Sequence, residues 1–240
     1  FELLTKSLKP MPEKHKGLTD IETIYRKRYL DLMSNPESRE VFIKRNKIIK
    51  SLRANLESNG FLEVETPMMH PIPGGANARP FETHHNALDK KLYLRVAPEL
   101  YLKRLLVGGY EKVFEINRNF RNEGISTIHN PEFTMLEFYE AYGDLQRTAK
   151  FIQKLIQDSI LAVNDSLKIT YDQKNINFEK DFEIRSLKEL VKEELNVESL
   201  ENEKDIFDLA KKKKIKIEKN WGWGKVLLEL FEKFVEKKLW

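Results

Sequence analysis

The chain has 240 residues, which is enough to bury a hydrophobic core without disulfides or metals. It contains no cysteine, which excludes thiol nucleophiles, disulfide bonds and thiolate zinc sites. This composition fits a reducing compartment or a chain that is indifferent to redox conditions, and a cytoplasmic location is expected. The 42 basic and 38 acidic residues give a formal net charge of +4, which permits a polyanionic partner without requiring one. No run of eighteen apolar residues is present, so no membrane role is expected.

The N-terminal third begins with a polar, basic, proline-containing stretch. Residues 1–17 are typical of a linker that leaves a domain further upstream. The apolar spacing then predicts one helix over residues 20–32 and a longer helix that starts at residue 36 and ends at Gly60. Alternation over residues 61–66 predicts a strand that stops before the next proline.

The middle of the chain combines a long loop with a predicted hairpin. Residues 70–88 contain prolines and glycines without periodicity and predict a loop long enough to be functional. The pattern next predicts a strand over 92–96, a helix over 99–107 and a strand over 112–120. Residues 133–142 are apolar and aromatic and predict a strand buried on both faces, or nearly so. The polar stretch between the last two strands is therefore predicted to be the loop of a hairpin.

The last hundred residues show mainly helical patterns, and the region of about 144–220 is predicted to be a helical insertion. The pattern predicts helices over 144–163, 186–194 and 203–213, short strands over 167–171 and 176–178, and a final helix over 225–240.

Chemically distinctive side chains stand at the two ends of the predicted hairpin loop. Arg121 and Glu123 follow one strand, whereas His129, Asn130 and Phe133 open the next. Two neighbouring strands would thus present a guanidinium, a carboxylate, an imidazole and an aromatic ring to one pocket. An arginine fork suits a phosphate group and stabilises charge that develops there. The simpler interpretation of an arginine and a glutamate at this spacing is a surface ion pair.

Longer stretches of sequence favour the functional interpretation. Residues 113–142, with FEINRNFRNEG and HNPEFTMLEFYEAY, resemble motif 2 of the class II aminoacyl-tRNA synthetases in its lysyl form. Residues 42–67, ending in GFLEVETP, resemble motif 1, which forms the dimer interface in that family. Phe42 and Pro67 are therefore expected at a homodimer interface. The block PMMHPIPGGANARPFETHHNALDKKLYLRVAPELYLKRLLVGG is also similar to the lysyl enzymes.

The resemblance implies an α+β fold, in which an antiparallel sheet is flanked by helices. It also implies a ligase that uses ATP and Mg²⁺ to convert lysine to lysyl-adenylate and then transfers lysine to the 3′ end of tRNA(Lys). Arg121 would be the catalytic residue and would hold the α-phosphate and the lysine carboxylate. Glu123 and Phe133 would bind adenine, His129 would contact the distal phosphate, and Asn130 is a weaker candidate for the ATP site.

The same resemblance implies a lysine site. Glu99 would bind the α-amino group, Tyr139 the ε-amino end, and the backbone of Gly75 and Ala76 would close over the substrate. Glu137 is expected in the same site, although the ammonium group that it serves is left open. The chemistry agrees, because a substrate with two ammonium groups needs carboxylates around it.

Some features of the family are not found in this sequence. The glycine-rich motif 3 with its arginine is missing, and the magnesium-binding carboxylates are expected in a C-terminal part that is not present, so no metal ligand is expected within this chain. The resemblance thus implies a linker from an anticodon-binding OB domain over residues 1–17 and a partial, incomplete catalytic domain over 18–240, weak or inactive alone. Ile128 stands where lysyl enzymes often carry a basic residue.

Two other functions remain open at this stage. A synthetase-like paralogue could adenylate lysine, or a lysine analogue, and transfer it to a protein instead of tRNA. A non-catalytic dimerisation or regulatory module could also descend from a synthetase, although such a module would be free to lose Arg121 and Glu99, and both are present.

Overall fold

The computed structural model of the chain describes residues 1–6, 8–13, 17–126 and 129–239. It consists of two compact units, Phe1–Leu167 and Lys168–Trp240. The departure from the family pattern at Ile128 lies outside the described residues. None of the helices in the described ranges combines the length and the apolar character needed to cross a bilayer.

The helix predicted over residues 20–32 is divided into two short helices. These are α1 (Ile21–Arg26) and α2 (Arg28–Ser34). As predicted, Asp20 caps α1, because its carboxylate accepts a hydrogen bond from the backbone of Thr23 at 2.7 Å. The prediction of one continuous helix was wrong because Lys27 adopts φ −121° and ψ 49°, which is outside the helical region.

The first unit contains three longer helices, and their predicted positions are confirmed within about two residues: α3 (Pro36–Ser58), α4 (Glu99–Val107) and α5 (Leu145–Leu161). Local signals explain this agreement. The side chain of Asn35 caps α3, whose first residue is a proline, and Asp144 caps α5. Helix α5 belongs to the first unit, so the boundary between the units does not coincide with the predicted start of an insertion at about residue 144.

The first unit also contains six described strands, β1 (Leu62–Glu63), β2 (Met69–His70), β3 (Glu82–His85), β4 (Lys90–Leu94), β5 (Lys112–Phe120) and β6 (Glu132–Glu140). They form two three-stranded sheets with the orders β1-β5-β6 and β2-β4-β3. All neighbouring strands run antiparallel except β1 and β5, which are parallel. The predicted α+β class is confirmed, with this one parallel pair as an addition.

Several strand predictions needed correction. The strand predicted over 61–66 is only two residues long, and the loop predicted over 70–88 contains β3 and a 3-10 turn at Asn86–Leu88. The strand predicted over 133–142 ends at Glu140, and its residues are half-buried rather than fully buried. Strand pairing requires a partner that is distant in sequence, and alternation alone does not reveal that partner.

A cluster of aromatic rings forms the core between the hairpin and the helices of the first unit. Phe61 stacks on Phe151 from α5, and Phe138 from β6 meets both rings edge-on, with each pair of centroids 5.5 Å apart. Leu56 and Phe114 complete this core and are fully buried. One face of the β5–β6 hairpin is therefore apolar and covered by α3 and α5.

The second unit has a hydrophobic core of its own. Its described elements are β7 (Lys168–Tyr171), β8 (Lys174–Asn177), α6 (Leu187–Glu194), α7 (Glu203–Lys212) and α8 (Trp223–Phe234). The three helices pack around buried apolar side chains, among them Val191, Ile206, Val226 and Leu230. Ser186 and Glu189 form a capping box at the start of α6, which explains why this helix could be predicted closely.

Candidate active site

The β5–β6 hairpin has a second face, which is polar. Successive residues of a strand point to opposite faces, and residues directly opposite each other on paired strands share a face. Glu115 lies opposite Glu137, and Asn119 lies opposite Phe133. We call the surface formed by Glu115, Asn117, Asn119, Phe133, Glu137 and Tyr139 the polar face. It lies on the side of the sheet away from the aromatic core.

Arg121 extends the polar face at the end of β5. Its backbone N–H donates to the carbonyl of Pro131 at 2.9 Å, so the ladder continues one residue beyond the strand and keeps Arg121 on the same side as Asn119. The guanidinium carbon lies 5.2 Å from the ring centroid of Phe133, and Nε is buried without a hydrogen-bond partner. A buried guanidinium nitrogen without an acceptor is unfavourable. The structure thus offers a donor that suits an anionic ligand. The catalytic role of Arg121 stays a prediction.

Glu137 and Tyr139 form the acidic part of the polar face. The Tyr139 hydroxyl donates to Glu137 Oε2 at 2.9 Å. Burial raises the pKa of Glu137, the negative charges of Glu99 and Glu115 raise it further, and the hydrogen bond from Tyr139 acts in the opposite direction. Burial and the neighbouring carboxylates also raise the pKa of Tyr139, so the phenol stays protonated. This cluster favours a cationic ligand.

Glu99 stands at the start of α4, next to the loop that carries Gly75 and Ala76. Its carboxylate is partly exposed and forms an ion pair with Lys103, one helical turn further on, at 2.6 Å. Gly75 has φ +90°, and a Cβ atom at this position would lie 3.1 Å from the Cβ of Glu99 and 3.2 Å from that of Ala97. The loop therefore packs closely against the first turn of α4. The predicted closing of its backbone over a substrate at Glu99 stays a prediction.

The hairpin loop itself is tied to a neighbouring loop. Glu123 is exposed, and its Oε1 atom accepts a hydrogen bond from the backbone N–H of Arg79 at 3.1 Å, while the N–H of Asn122 donates to the carbonyl of Arg79 at 2.7 Å. Glu123 thus has a structural role in addition to the adenine contact predicted for it, which stays a prediction.

His129 and Asn130 are exposed residues of the same loop. The Nδ1 atom of His129 lies 2.8 Å from Ser126 Oγ. Among the described residues, no hydrogen bond or ring contact joins His129 or Asn130 to the polar face. The contacts of His129 and Asn130 with ATP stay predictions.

The sequence interpretation missed a buried ion pair that includes Glu115 of the polar face. Arg95, directly after β4, is completely buried; its Nη1 atom donates to Glu115 Oε1 at 2.7 Å and to Thr66 Oγ1 at 3.0 Å, and its Nε atom to the carbonyl of Arg118 at 2.9 Å. Thr66 in turn donates to the other oxygen of Glu115 at 2.6 Å. This network holds β5 against the segments before β2 and after β4. An arginine at the end of an otherwise alternating strand could have indicated it.

Asn119 is a second residue that the sequence interpretation missed. Its side chain is fully buried, and both amide atoms lack a hydrogen-bond partner, as does Nη2 of Arg95. Buried polar atoms normally have partners, so these groups indicate a place for ordered water or for a polar ligand nearby. The signal in the sequence was the polar alternation Glu115, Asn117, Asn119 in a strand whose residues 113, 114 and 116 are apolar.

The two residues predicted at a dimer interface are both on the surface. Phe42 on α3 is 49% exposed and lies between the exposed residues Val41 and Ile43, and Pro67 is exposed. The Nε2–H group of His70 donates a hydrogen bond to the carbonyl of Pro67 at 2.8 Å. Their role in dimerisation stays a prediction.

Metal binding requires a cluster of suitable ligands. In the described ranges, no group of three or more His, Asp or Glu residues could hold a metal ion.

The fold and the polar face can be compared with known protein families. The family described as tRNA synthetases class II (D, K and N) matches residues 20–222, and the chain belongs to this family. The match includes α3, the β5–β6 hairpin and α4, and the resemblance inferred from the motifs is confirmed.

Similar proteins narrow the comparison within the family. The chain is 54% identical over 241 residues to a lysine–tRNA ligase of Carboxydothermus hydrogenoformans, and 53% identical over 242 residues to one of Xanthomonas campestris pv. campestris. It is 52% identical over 244 residues to a lysine–tRNA ligase of Neisseria meningitidis serogroup B. Each match covers 100% of this chain but only 48 or 49% of the relative. The chain spans about half the length of the curated relatives it matches.

Proposed function

We propose that this chain provides the lysine- and ATP-binding surface of a lysine–tRNA ligase. The reaction would join lysine to ATP as lysyl-adenylate and then transfer the lysyl group to the 3′ end of tRNA(Lys). Identity of more than half of all residues with proteins named lysine–tRNA ligase supports this proposal. The single structural observation that carries it is the position of Arg121. Its Nε is buried without a hydrogen-bond acceptor, and it lies on the same face of the hairpin as Glu137 of β6.

The two ends of the polar face suit the two ends of lysyl-adenylate. Phe133 and Glu137 are four residues apart on β6, which corresponds to about 13 Å along a strand. The Arg121–Phe133 end offers a cation and an aromatic ring, which suit a phosphate and a purine. The Glu137–Tyr139 end, next to Glu99, offers carboxylates and a phenol, which suit ammonium groups. This polarity matches a ligand with an anionic nucleotide at one end and a dication at the other.

Catalysis in this arrangement would depend on position and charge, without a protein nucleophile. An oxygen of the lysine carboxylate attacks the α-phosphorus of ATP, the bond to the β-phosphate breaks, and pyrophosphate leaves. Arg121 would hold both reacting groups and stabilise the charge that builds at phosphorus. A ribose hydroxyl of tRNA then attacks the carbonyl carbon of the adenylate, and AMP leaves.

The family implies the use of Mg²⁺. This cation would neutralise negative charge on the nucleotide phosphates. The described residues contain no cluster that fits a metal, so no step of this mechanism is assigned to a metal held by the chain. We further propose a homodimer through the Phe42 to Pro67 region and a cytoplasmic location, both by analogy with the family.

The proposal is tested with the gene product that contains this chain. Lysine-dependent exchange of pyrophosphate into ATP should be observed, followed by charging of tRNA(Lys). If pyrophosphate exchange depends on lysine but the lysyl group is transferred only to a protein, the result would favour the protein-modifying paralogue over this proposal. Absence of binding to both lysine and a non-reactive lysyl-adenylate analogue, measured by calorimetry, would favour a non-catalytic module.

A further inference from the structure

A dense run of lysines follows helix α7 in the second unit. Residues 211–219 read KKKKIKIEK, so six of nine residues are lysine and one is acidic. We call residues 211–219 the lysine segment. It begins in the last turn of α7 and continues without regular structure, and all its lysines except Lys213 are exposed.

Most of these lysines lack a carboxylate partner. Elsewhere in the second unit, ion pairs join Lys168 to Glu179 at 3.0 Å, Lys188 to Glu201 at 3.3 Å and Lys225 to Glu229 at 2.6 Å. In the lysine segment, only Lys211 has a carboxylate within 4 Å, that of Asp208 at 3.8 Å, as far as the structure describes the chain. The positive charge of the segment is therefore not neutralised by the protein itself.

The fold presents these charges on one side. Ile215 and Ile217 pack against the core of the second unit, whereas Lys214 and Lys216 between them are exposed. Alternating burial over consecutive residues directs the two lysines away from the core. The segment thus forms a basic strip supported by an apolar underside.

Lys214 occupies a backbone position at which glycine is the usual residue. The N–H of Ile215 donates to the carbonyl of Ala210 at 2.9 Å, and the N–H of Lys214 donates to the carbonyl of Lys211 at 3.0 Å, which together form a Schellman cap. Lys214 therefore adopts φ +56°, a left-handed conformation that is unfavourable for a residue with a Cβ atom. A lysine at this position destabilises the cap locally but supplies a positive charge. Departures of this kind from the locally preferred residue are expected at functional surfaces.

Helix electrostatics explain only part of the pattern. Basic residues in the last turn of a helix stabilise it by interaction with the helix dipole, which accounts for Lys211 and Lys212. The effect falls off within that turn, so it does not account for Lys214, Lys216 or Lys219, which lie beyond the helix. A general role in solubility would not require a lysine in the left-handed conformation.

We propose that the lysine segment binds the phosphate backbone of RNA. The inference rests on the proposed function, because the RNA in question is the tRNA substrate named there. Lysine is a flexible point charge that contacts phosphates without reading bases, and such contacts release counterions and strengthen binding at low salt. A membrane surface fits less well, because Ile215 and Ile217 are turned towards the core, and interfacial binding needs exposed apolar side chains.

The test compares two triple variants of the 240-residue chain. In the first, Lys212→Gln, Lys214→Gln and Lys216→Gln are combined; in the control, Lys180→Gln, Lys192→Gln and Lys204→Gln remove three exposed charges from the same unit. Binding of transcribed tRNA(Lys) is measured over a series of salt concentrations. The first variant should lose on the order of tenfold in affinity, and the slope of log K against log salt should fall by about 2 to 3. The control should change neither quantity comparably.

The single substitution Lys214→Gly separates the RNA contact from folding. Glycine relieves the left-handed strain, so the melting temperature should rise by about 2 to 4 °C. The salt slope for tRNA should nevertheless fall by about 0.7 to 0.9, because one phosphate contact is lost. A weaker RNA complex in a more stable protein cannot be explained by misfolding.

Several outcomes would overturn the inference. The first is that the unmodified chain does not bind tRNA, and the second is that both triple variants lose tRNA affinity equally. The third is that the lysine segment is needed for binding to phosphatidylserine vesicles but not for binding to tRNA. Lysine-dependent pyrophosphate exchange needs no RNA and is measured in parallel with the gene product that contains the chain. If this exchange is absent but RNA binding still depends on the lysine segment, the proposed function is contradicted and the RNA-binding inference is not.

Discussion

Tyr139 donates its hydroxyl hydrogen to Glu137 Oε2 across 2.9 Å, two residues apart on the same face of β6. The hydrogen bond stabilises the ionised carboxylate, while burial and the charge of Glu99 favour its protonated form. Glu137 is therefore a carboxylate whose charge depends on what binds beside it. An ammonium group from the substrate would lower its pKa again.

Lysine affinity should depend on pH through Glu137. Its pKa is raised above the ordinary value of 4.5, so the carboxylate loses its charge as the pH falls through the raised value, and lysine binding should weaken in that direction. Tyr139→Phe removes the hydrogen bond that lowers this pKa, so the midpoint should move to higher pH. Calorimetric titration with lysine, over a pH series that begins below the ordinary value of 4.5 and extends to neutral pH, measures both curves. Glu137→Gln is the control that should abolish this step, and a step that persists in it would assign the dependence to another group.

Arg121 should be required for adenylate formation but not for folding. Arg121→Ala removes a charge that is positioned for the transition state, and pyrophosphate exchange by the gene product containing this chain should fall by on the order of a hundredfold or more. The melting temperature should fall little, because Nε of Arg121 has no hydrogen-bond partner to lose and the side chain gives up only its contact with the Phe133 ring. Arg118→Ala is a matched control on the other face of β5, where Arg118 forms an exposed ion pair with Glu132 at 3.5 Å. Unchanged exchange in Arg121→Ala would remove the catalytic assignment.

Glu99 should contribute to lysine binding and not to ATP binding. Glu99→Gln removes the charge in a charge-assisted hydrogen bond, so the KM for lysine should rise by about 10- to 100-fold while the KM for ATP changes little. Lys103→Gln provides the opposite control, because it frees the Glu99 carboxylate from its ion pair at 2.6 Å, and lysine affinity should stay the same or increase. Steady-state kinetics of pyrophosphate exchange measure both constants. Equal increases in both KM values in Glu99→Gln would indicate misfolding.

Gly75 should not tolerate a side chain. Gly75→Ala places a Cβ atom 3.1 Å from that of Glu99 in a backbone with φ +90°, and it should cost about 1 to 2 kcal/mol of stability. Lysine binding should weaken as well, because the contact displaces the first turn of α4. Gly124→Ala is the control, since a Cβ atom there meets nothing within 4 Å. Urea denaturation measures the free energy of unfolding, and similar values for the two variants would contradict the proposed close packing.

Arg95 and Glu115 should stabilise the protein only when both charges are present. Arg95→Ala leaves the carboxylate of Glu115 buried without its counter-ion, and should reduce the free energy of unfolding by about 3 to 5 kcal/mol. The double variant Arg95→Met with Glu115→Met removes both charges and should recover most of that loss. Chemical denaturation of the single and double variants completes the cycle. A double variant no more stable than Arg95→Ala would indicate that the network stabilises through its shape and not through charge compensation.

Much of the local structure could be predicted because its signals are local. Helix α4 begins after Pro98 and ends at Gly108 as expected, and the bounds of β5 agree with its alternation. The break at Lys27 and the pairing of β3 with β4 could not be predicted, because no residue nearby specifies them. The division between the units also depends on which helix packs against which core.

The sequence alone determined the types of residue at the candidate site and their order along the chain: an arginine after one strand, a phenylalanine that opens the next, and acids along α4 and β6. Tertiary structure decided which of them share a surface. The register of β5 with β6 places Phe133 opposite Asn119 and Glu137 opposite Glu115, and the fold brings the buried Arg95 against Glu115. Register and burial arise from contacts between segments that are far apart in sequence. Side-chain periodicity therefore predicts a polar face, but it does not show which residues of other segments pack against that face.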